Sequence, residues 1–242
     1  MRVGVISDIH GNAAALETVL EALEDERLDA IWCLGDLVGY GPDPNTCCEL
    51  VALRADLCLV GNHDLGVIGS IPLDEFSPDA AAAARWTETV LTDYSRSYLE
   101  SLKPAARVNG AELYHASPRD PVWDYVLSEP VARESLEITA APVVMVGHSH
   151  VPLAMILENG RANGGLAPGG HEADLSRGRW LLNPGSVGQP RDNDPRAAYL
   201  ILDLDQHRAS FMRVTYPVER TQAEIRERGL PETLAQRLAL GL

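Results

Sequence analysis

Long apolar runs, positive charge and cysteine are all scarce in this 242-residue chain. No stretch reaches the roughly 18 apolar residues of a membrane span, so no membrane association is expected. The opening "MRVGVISD" is too short an apolar run for a secretory signal. Lys and Arg number 20 against 35 Asp and Glu, a formal net charge of −15, and no basic run offsets it. Such a surface repels a nucleic-acid backbone, so stable nucleic-acid binding is not expected. An anionic substrate would need positive charge from elsewhere, and bound divalent cations would supply it. Cys33, Cys47, Cys48 and Cys58 contain no C-x-x-C pair. They read as reduced thiols, with Cys33 and Cys58 buried in strand-like runs, and point to a cytoplasmic location. Internal repeats and linkers are also absent. Apolar residues make up 45% of the chain, enough for a packed core. The expectation is one α/β domain over residues 1–242.

Val3–Ser7 is a short, β-branched apolar run and reads as a buried strand. Asn12–Glu26 follows with helical spacing at Ala15, Leu16, Val19, Leu20 and Leu23. Asp29–Leu34 is a second strand, "PDPNTCCELVALR" a helix and Leu57–Val60 a third strand. This β-α-β-α-β order points to a sheet flanked by crossover helices. Ser77–Leu102 reads as helical, with Ser77 as a cap before Pro78. "AELYHASP" returns to strand, Val131–Thr139 to helix, and "VVM" to strand. Short runs follow at Leu153–Glu158, Arg161–Gly165, Trp180–Asn183, Ala198–Asp203 and Ala209–Thr215, which read as antiparallel meanders. "LAPGGHEADLSRGR" reads as an exposed loop. Pro217–Arg228 and Pro231–Leu240 read as closing helices.

Chemistry gathers where these strands end. The first ends in "SDIHGN" (Asp8, His10), the second in "GDLVGYG" (Asp36), the third in "GNHD" (Asn62, His63, Asp64). Later ones end in "HASP" (His115) and "GHSH" (His148, His150). Five of the seven histidines therefore sit at the carboxyl end of a strand, the edge where open α/β sheets build sites. Polar residues that merely open loops explain each case singly, but not five together. In extended backbone, His148 and His150 would point the same way. Carboxylates, an amide oxygen and imidazoles suit Mn, Fe, Zn or Ni rather than copper(I). Asp8, His10, Asp36, Asn62, His115, His148 and His150 are too many ligands for one ion. Two ions roughly 3.5–4 Å apart that share a carboxylate would use them all.

The blocks D-x-H, "GD", "GNHD", a lone His and "GHSH", in this order, resemble the five-block signature of the calcineurin-like metallophosphoesterase superfamily. "HASP", "AAAAARWT" and "NPGSVGQPRD" extend the likeness to a bacterial, phosphodiesterase-like branch and over nearly the whole chain. One departure is "GNHD", where many relatives have "GNHE". The resemblance implies a four-layer αββα sandwich of two mixed sheets flanked by helices, with helical insertions at about 65–104 and 117–142 near the mouth. It also implies that Asp8, His10 and His150 hold one metal, that Asn62, His115 and His148 hold the other, and that Asp36 bridges them. His63 is carried over as the group that protonates or stabilises the leaving oxygen. The expected chemistry is hydrolysis of a small phosphoester, a phosphodiester first, by a metal-bridging hydroxide. The alternatives are a phosphomonoesterase, or a protein or nucleotide phosphatase. A further alternative of another class is a non-catalytic metal-binding scaffold or regulator, which would be expected to lose ligands that this chain keeps. Asn12, Asn183, Ser186 and Arg191 are further candidates for contact with substrate. For Asn12 the competing role is an N-cap, and for Arg191 a surface salt bridge. Neither the native metal nor the oligomeric state is legible.

Overall fold

Strand alternation sets the layers. The computed structural model describes residues 1–242. The first strand, β1 (Arg2–Ile6), turns Val3 and Val5 toward one core, while Ile6 joins another. After β1 come α1 (Ala13–Glu24), β2 (Ala30–Cys33), α2 (Pro44–Arg54) and β3 (Leu57–Cys58). Both strand-to-strand pairings here are parallel, as crossover helices require. The same sheet is completed by β9 (Glu172–Asp174), β11 (Ala197–Asp203) and β12 (Arg208–Val214), in the order β3-β2-β1-β11-β12-β9.

The second sheet holds β4 (Ala105–Val108), β5 (Ala111–Tyr114), β6 (Val143–Met145), β7 (Leu153–Glu158), β8 (Arg161–Leu166) and β10 (Arg179–Asn183). Its order is β4-β5-β6-β10-β7-β8, with β5-β6 and β6-β10 parallel and the rest antiparallel. Between the sheets lie Val3, Val5, Trp32, Leu113, Val143, Met145, Leu200 and Phe211. Outside the first sheet, α1 and α2 pack with Leu99 of α5 (Asp93–Ser101). Outside the second, α6 (Glu129–Ile138) sets Ala132 and Leu136 on Val144, Met155 and Leu181. The result is the four-layer αββα sandwich with two mixed six-stranded sheets.

A fourth cluster stands apart. There α7 (Val218–Glu227) and α8 (Glu232–Leu238) cover Tyr40 and the Ala80 and Ala83 face of α4 (Pro78–Val90). No helix is long and apolar enough to cross a membrane.

Several local expectations need correction. Ser77–Leu102 is two helices, because Leu91 and Thr92 are extended and the Thr92 side chain caps the second by accepting from Ser95 N. The third strand stops at Cys58 rather than running to Val60, and "GNHD" opens a helix, α3 (Asn62–Val67). The loop "LAPGGHEADLSRGR" carries β9, recruited by pairing with β12. β4 is a short, half-buried strand that the sequence reading missed; Ala106 and Val108 pack on the inter-sheet core and the strand pairs with β5. The second half is not all meander, since β10 runs parallel to β6. Cys58 is half-buried rather than buried.

Candidate metal centre

The carboxyl ends of β1, β2, β3, β5 and β6 meet along one edge shared by both sheets. Asp8 and His10 follow β1, Asp36 follows β2, and Asn62 opens α3 just after β3. His115 follows β5, and His148 and His150 lie past β6. The backbone stitches these loops together. Ile9 and His10 donate to the Asp36 carbonyl at 2.8 and 2.9 Å, and Gly147 donates to the His115 carbonyl at 2.8 Å. The His148 N–H reaches both carboxylate oxygens of Asp8 at 3.2 Å.

The backbone here is left-handed, not extended. Asp8, His10, Asp36, His148 and His150 have φ of 54°, 51°, 55°, 62° and 60°. For non-glycine residues this conformation costs on the order of 1–3 kcal/mol each and persists only where the surroundings impose it. His148 and His150 therefore do not converge by the alternation of an extended strand, as the spacing had led us to expect.

All seven candidate ligands are brought together, and all are nearly fully buried. His10 Nε2 lies 3.6 Å and His115 Nε2 3.5 Å from the same oxygen, Asp36 Oδ2. His150 Nε2 is 3.4 Å from Asp8 Oδ1, and His115 Nε2 is 3.2 Å from Asn62 Oδ1. Two sets of potential ligand atoms form, Asp8-His10-Asp36-His150 and Asp36-His115-His148, with Asp36 in both. The far side of each ring is anchored. His10, His115 and His150 place Nδ1 against the carbonyls of Val38, Leu34 and Gln189 at 3.1, 2.9 and 2.7 Å. An Nδ1–H that donates to a carbonyl leaves Nε2 with its lone pair facing inward, as a metal ligand requires.

The set fits cations. Asp36 Oδ2 and His148 Nε2 are buried without any hydrogen-bond partner, which is costly unless something else satisfies them. His10 Nε2 faces His150 Nε2 at 3.0 Å; two lone pairs at that distance need a cation or proton between them. Burial pushes His10 and His150 well below the ordinary histidine range, and His148 down to about 2. These three imidazoles therefore favour the neutral form that can ligate. Burial also raises Asp8 to about 7 and lifts Asp36 well above the usual carboxylate range, with Asp64 adding repulsion at Asp36. A bound cation reverses that cost.

Asp64 is a residue whose role the motif understates. Its carboxylate accepts from the backbone N–H of Asp36, Leu37, Val38 and Gly61 at 2.9–3.0 Å. It therefore moulds the loop that presents Asp36. Asp36 Oδ1 in turn accepts from His63 N at 2.9 Å, which leaves Oδ2 facing the histidines.

His63 is buried beside the cluster, with its ring 4.8 Å from that of His10 and 4.4 Å from that of Tyr40. Burial first, then the charge of Arg191, holds its pKa well below the ordinary value. Its Nδ1 has no partner. At Gly39 a Cβ would stand 2.6 Å from that nitrogen, at φ +87°, so the ring's seat depends on glycine.

Of the four further candidates, three are taken up by the scaffold. Asn12 donates to the Gly188 carbonyl and Tyr216 hydroxyl and accepts from Ala15 N and the Thr221 hydroxyl. This is the capping role, and it leaves no donor or acceptor for a substrate. Asn183 bonds Gly147 O, Ser149 Oγ and Gly185 N, and Ser186 links Asp8 O to Gln189 N. They hold the ligand loops together and do not reach the cleft as substrate contacts. Arg191 alone opens onto the cavity beside the cluster, with Nη2 3.0 Å from Gln189 Oε1 and 3.3 Å from the Tyr40 hydroxyl. That cavity, about 230 Å³, is also lined by Phe76, Trp123, Tyr125 and Arg237. The motif blocks contained none of these four.

The calcineurin-like phosphoesterase superfamily domain matches residues 1–207. An uncharacterized protein of Methanocaldococcus jannaschii is 37% identical over 244 residues, covering 99% of this chain and 98% of its own length. A metallophosphoesterase crystal structure from Sphaerobacter thermophilus is 44% identical, with a TM-score of 0.89 over 100% of this chain and 99% of that one. A symmetrical bis(5'-nucleosyl)-tetraphosphatase of Paracidovorax citrulli is 30% identical over 137 residues, 55% of this chain but 39% of that protein.

Proposed function

The chain belongs to the calcineurin-like phosphoesterase superfamily, and from that premise we propose that it is a hydrolase of small phosphoesters that works with two bound metal ions. We take residues 1–242 as one domain, with 65–104 and 117–142 as insertions that shape the mouth. The observation that carries the two-ion reading is Asp36 Oδ2. It is buried and unpartnered, and lies nearly equidistant, 3.6 and 3.5 Å, from one histidine of each ligand set. Asp8, His10 and His150 would hold one ion, Asn62, His115 and His148 the other, with Asp36 shared. With Mn, Fe, Zn or Ni bound there, as the donor set allows, these residues would place Lewis-acid charge to activate water and neutralise phosphoryl oxygens.

The chain's own residues do the rest. The loops fix the ligands in place, because backbone bonds together with the buried Asp64, Asn183 and Ser186 side chains set each position. His63 faces the cavity with a neutral ring, so it stabilises the leaving oxygen by donating a hydrogen bond. It can complete the proton transfer once an anionic ester raises its basicity. Arg191 approaches from the side of Tyr40 and offers its guanidinium charge to a phosphoryl oxygen.

The test is metal analysis of the purified protein, together with turnover of p-nitrophenyl phosphodiesters and monoesters with Mn²⁺, Ni²⁺, Zn²⁺ and Mg²⁺. Two ions per chain are expected, with the diester hydrolysed at least as fast as the monoester. Turnover of the monoester alone, across all four metals, would assign a phosphomonoesterase. Two tightly held ions without any turnover would assign a binding scaffold or regulator.

A further inference from the structure

The alternation of β12 breaks at one position. Phe211 turns onto the core between the sheets, while Met212 and Val214 turn outward onto the core beside α1. The next inward position, two residues after Phe211, should therefore be apolar. It is Arg213, with a side chain 2% exposed. In every other arginine ion pair the arginine side chain is 33% exposed or more. A buried charge is the informative exception in a core, and its partners say what it serves.

All of its side-chain bonds go to one loop. Nη2 pairs with the Asp192 carboxylate, and Nη1 donates to the Arg196 carbonyl at 2.8 Å and the Asp194 carbonyl at 3.4 Å. These partners belong to the segment 190–196 between β10 and β11, which also carries Arg191. The stem is closed in from another side. A Cβ at Gly169 would stand 2.7 Å from Arg213 Cγ, so the connection from β8 to β9 settles on the stem only as glycine. One guanidinium thus grips the loop at three points from behind. In front, the Arg191 N–H reaches the His150 carbonyl at 3.3 Å. The hydrogen bonds of the Arg191 side chain, to Gln189 and Tyr40, both come from Nη2, and its Nε is buried without any partner. Where that guanidinium stands therefore depends on where its backbone is set.

A buried ion pair is weak support for stability, since apolar residues of like volume often serve as well. Resting on the hydrolase reading above, in which Arg191 meets a phosphoryl oxygen, we propose that Arg213 and Asp192 are positioning residues for Arg191. They fix the 190–196 loop before substrate arrives, so the guanidinium needs no ordering when the phosphoryl group binds. Neither touches the substrate, and both act through the Arg191 backbone.

The experiment is a double-mutant cycle on the metal-loaded protein with methyl p-nitrophenyl phosphate. Arg191→Gln should cut kcat/KM by about tenfold or more, as loss of a charge-assisted hydrogen bond does. Arg213→Met combined with Asp192→Leu leaves no bare charge and should cut it by about the same factor, with two ions still bound. Adding Arg191→Gln to that pair should cost less than about twofold more, because residues that act as one unit are not additive. Losses that multiply overturn the inference, as does a paired variant equal to the parent or no loss in Arg191→Gln. Loss of an ion in the paired variant also overturns it, by assigning the pair to the support of His150. If the paired variant does not fold, Arg213→Lys keeps the charge without the fork and takes its place in the cycle. If no ester turns over, the hydrolase reading fails, and the crystal structure of the variant decides the inference by itself. Arg191 displaced from Gln189 and Tyr40 supports it, and Arg191 unmoved overturns it.

Discussion

The floor of the site and its wall are built by opposite rules. The floor comes from five loops at one sheet edge, is buried, and is held by backbone hydrogen bonds at left-handed φ. The wall comes from α4's approach, the segment before α6, the loop after β10 and the last helix, and several of its side chains are partly exposed. The floor stores strain and cannot shift without breaking many bonds. The wall is side-chain packing on separate elements, which can vary while the floor stays fixed. This is the arrangement expected when one chemistry serves many substrates.

The largest effect should come from breaking the floor at its shared ligand. Asp36→Asn lacks the charge for two cations, and metal content after dialysis should fall at both positions. Activity should drop on every substrate by more than the roughly 10–100-fold that loss of an outer partner costs. A variant that holds two ions as tightly as the parent removes the bridging role.

His63 lies at the junction of floor and wall, so it should separate the two. His63→Ala should keep both ions and lose rate by about 10²–10⁴. The loss should be greater for alkyl esters than for nitrophenyl esters, whose leaving group departs unaided. Uniform losses with metal retained would assign His63 to phosphoryl binding, and loss of an ion would make it a ligand.

Behind the floor, Asp64→Asn tests whether the backbone seat matters. An amide nitrogen cannot accept the N–H groups that one carboxylate oxygen now satisfies. Stability should fall by about 1–3 kcal/mol for each buried donor left bare, and metal affinity by roughly 10–100-fold. Urea unfolding and metal titration read the two separately. Unchanged metal affinity would show that the Asp36 loop keeps its shape without this support.

The effect with least bearing on activity is one of pH on the metal-free protein. Burial raises Asp8 from 3.8 to about 7. Between those values the unfolded chain releases the proton while the folded one keeps it, so stability falls as pH rises through that window. Metal-free Asp8→Asn should therefore be more stable than the parent above about pH 7, and the two should converge toward about pH 4. With metal bound the parent should show the reverse trend, because ligands must be deprotonated. Parallel pH profiles of metal-free parent and variant would mean that the carboxylate is not strained by burial.

The sequence by itself determined which residues stand at the strand ends that form the floor, while the layers were legible only through the family resemblance. Strand periodicity located β1, β2 and β6, and Asp or His at each strand end marked the edge where ligands could meet. Those signals are local, so they survive in one dimension. The geometry of that meeting was not local. Left-handed φ at His148 and His150 is imposed by Asp8, His115 and Gln189, which lie far away in the chain. The same holds for β9, which pairs with β12 yet carries almost no apolar signal. Asn183 and Ser186 looked free in sequence, and only tertiary contacts show their donors and acceptors already taken; for Asn12 the cap was legible, but its bonds to Gly188, Tyr216 and Thr221 were not. Phe76, Trp123, Tyr125 and Arg237 lie in four separate segments with no shared spacing. Packing of α4, α6, α7 and α8 around the sheet edge was needed to make them one wall, because side chains distant in sequence become neighbours only when the layers close.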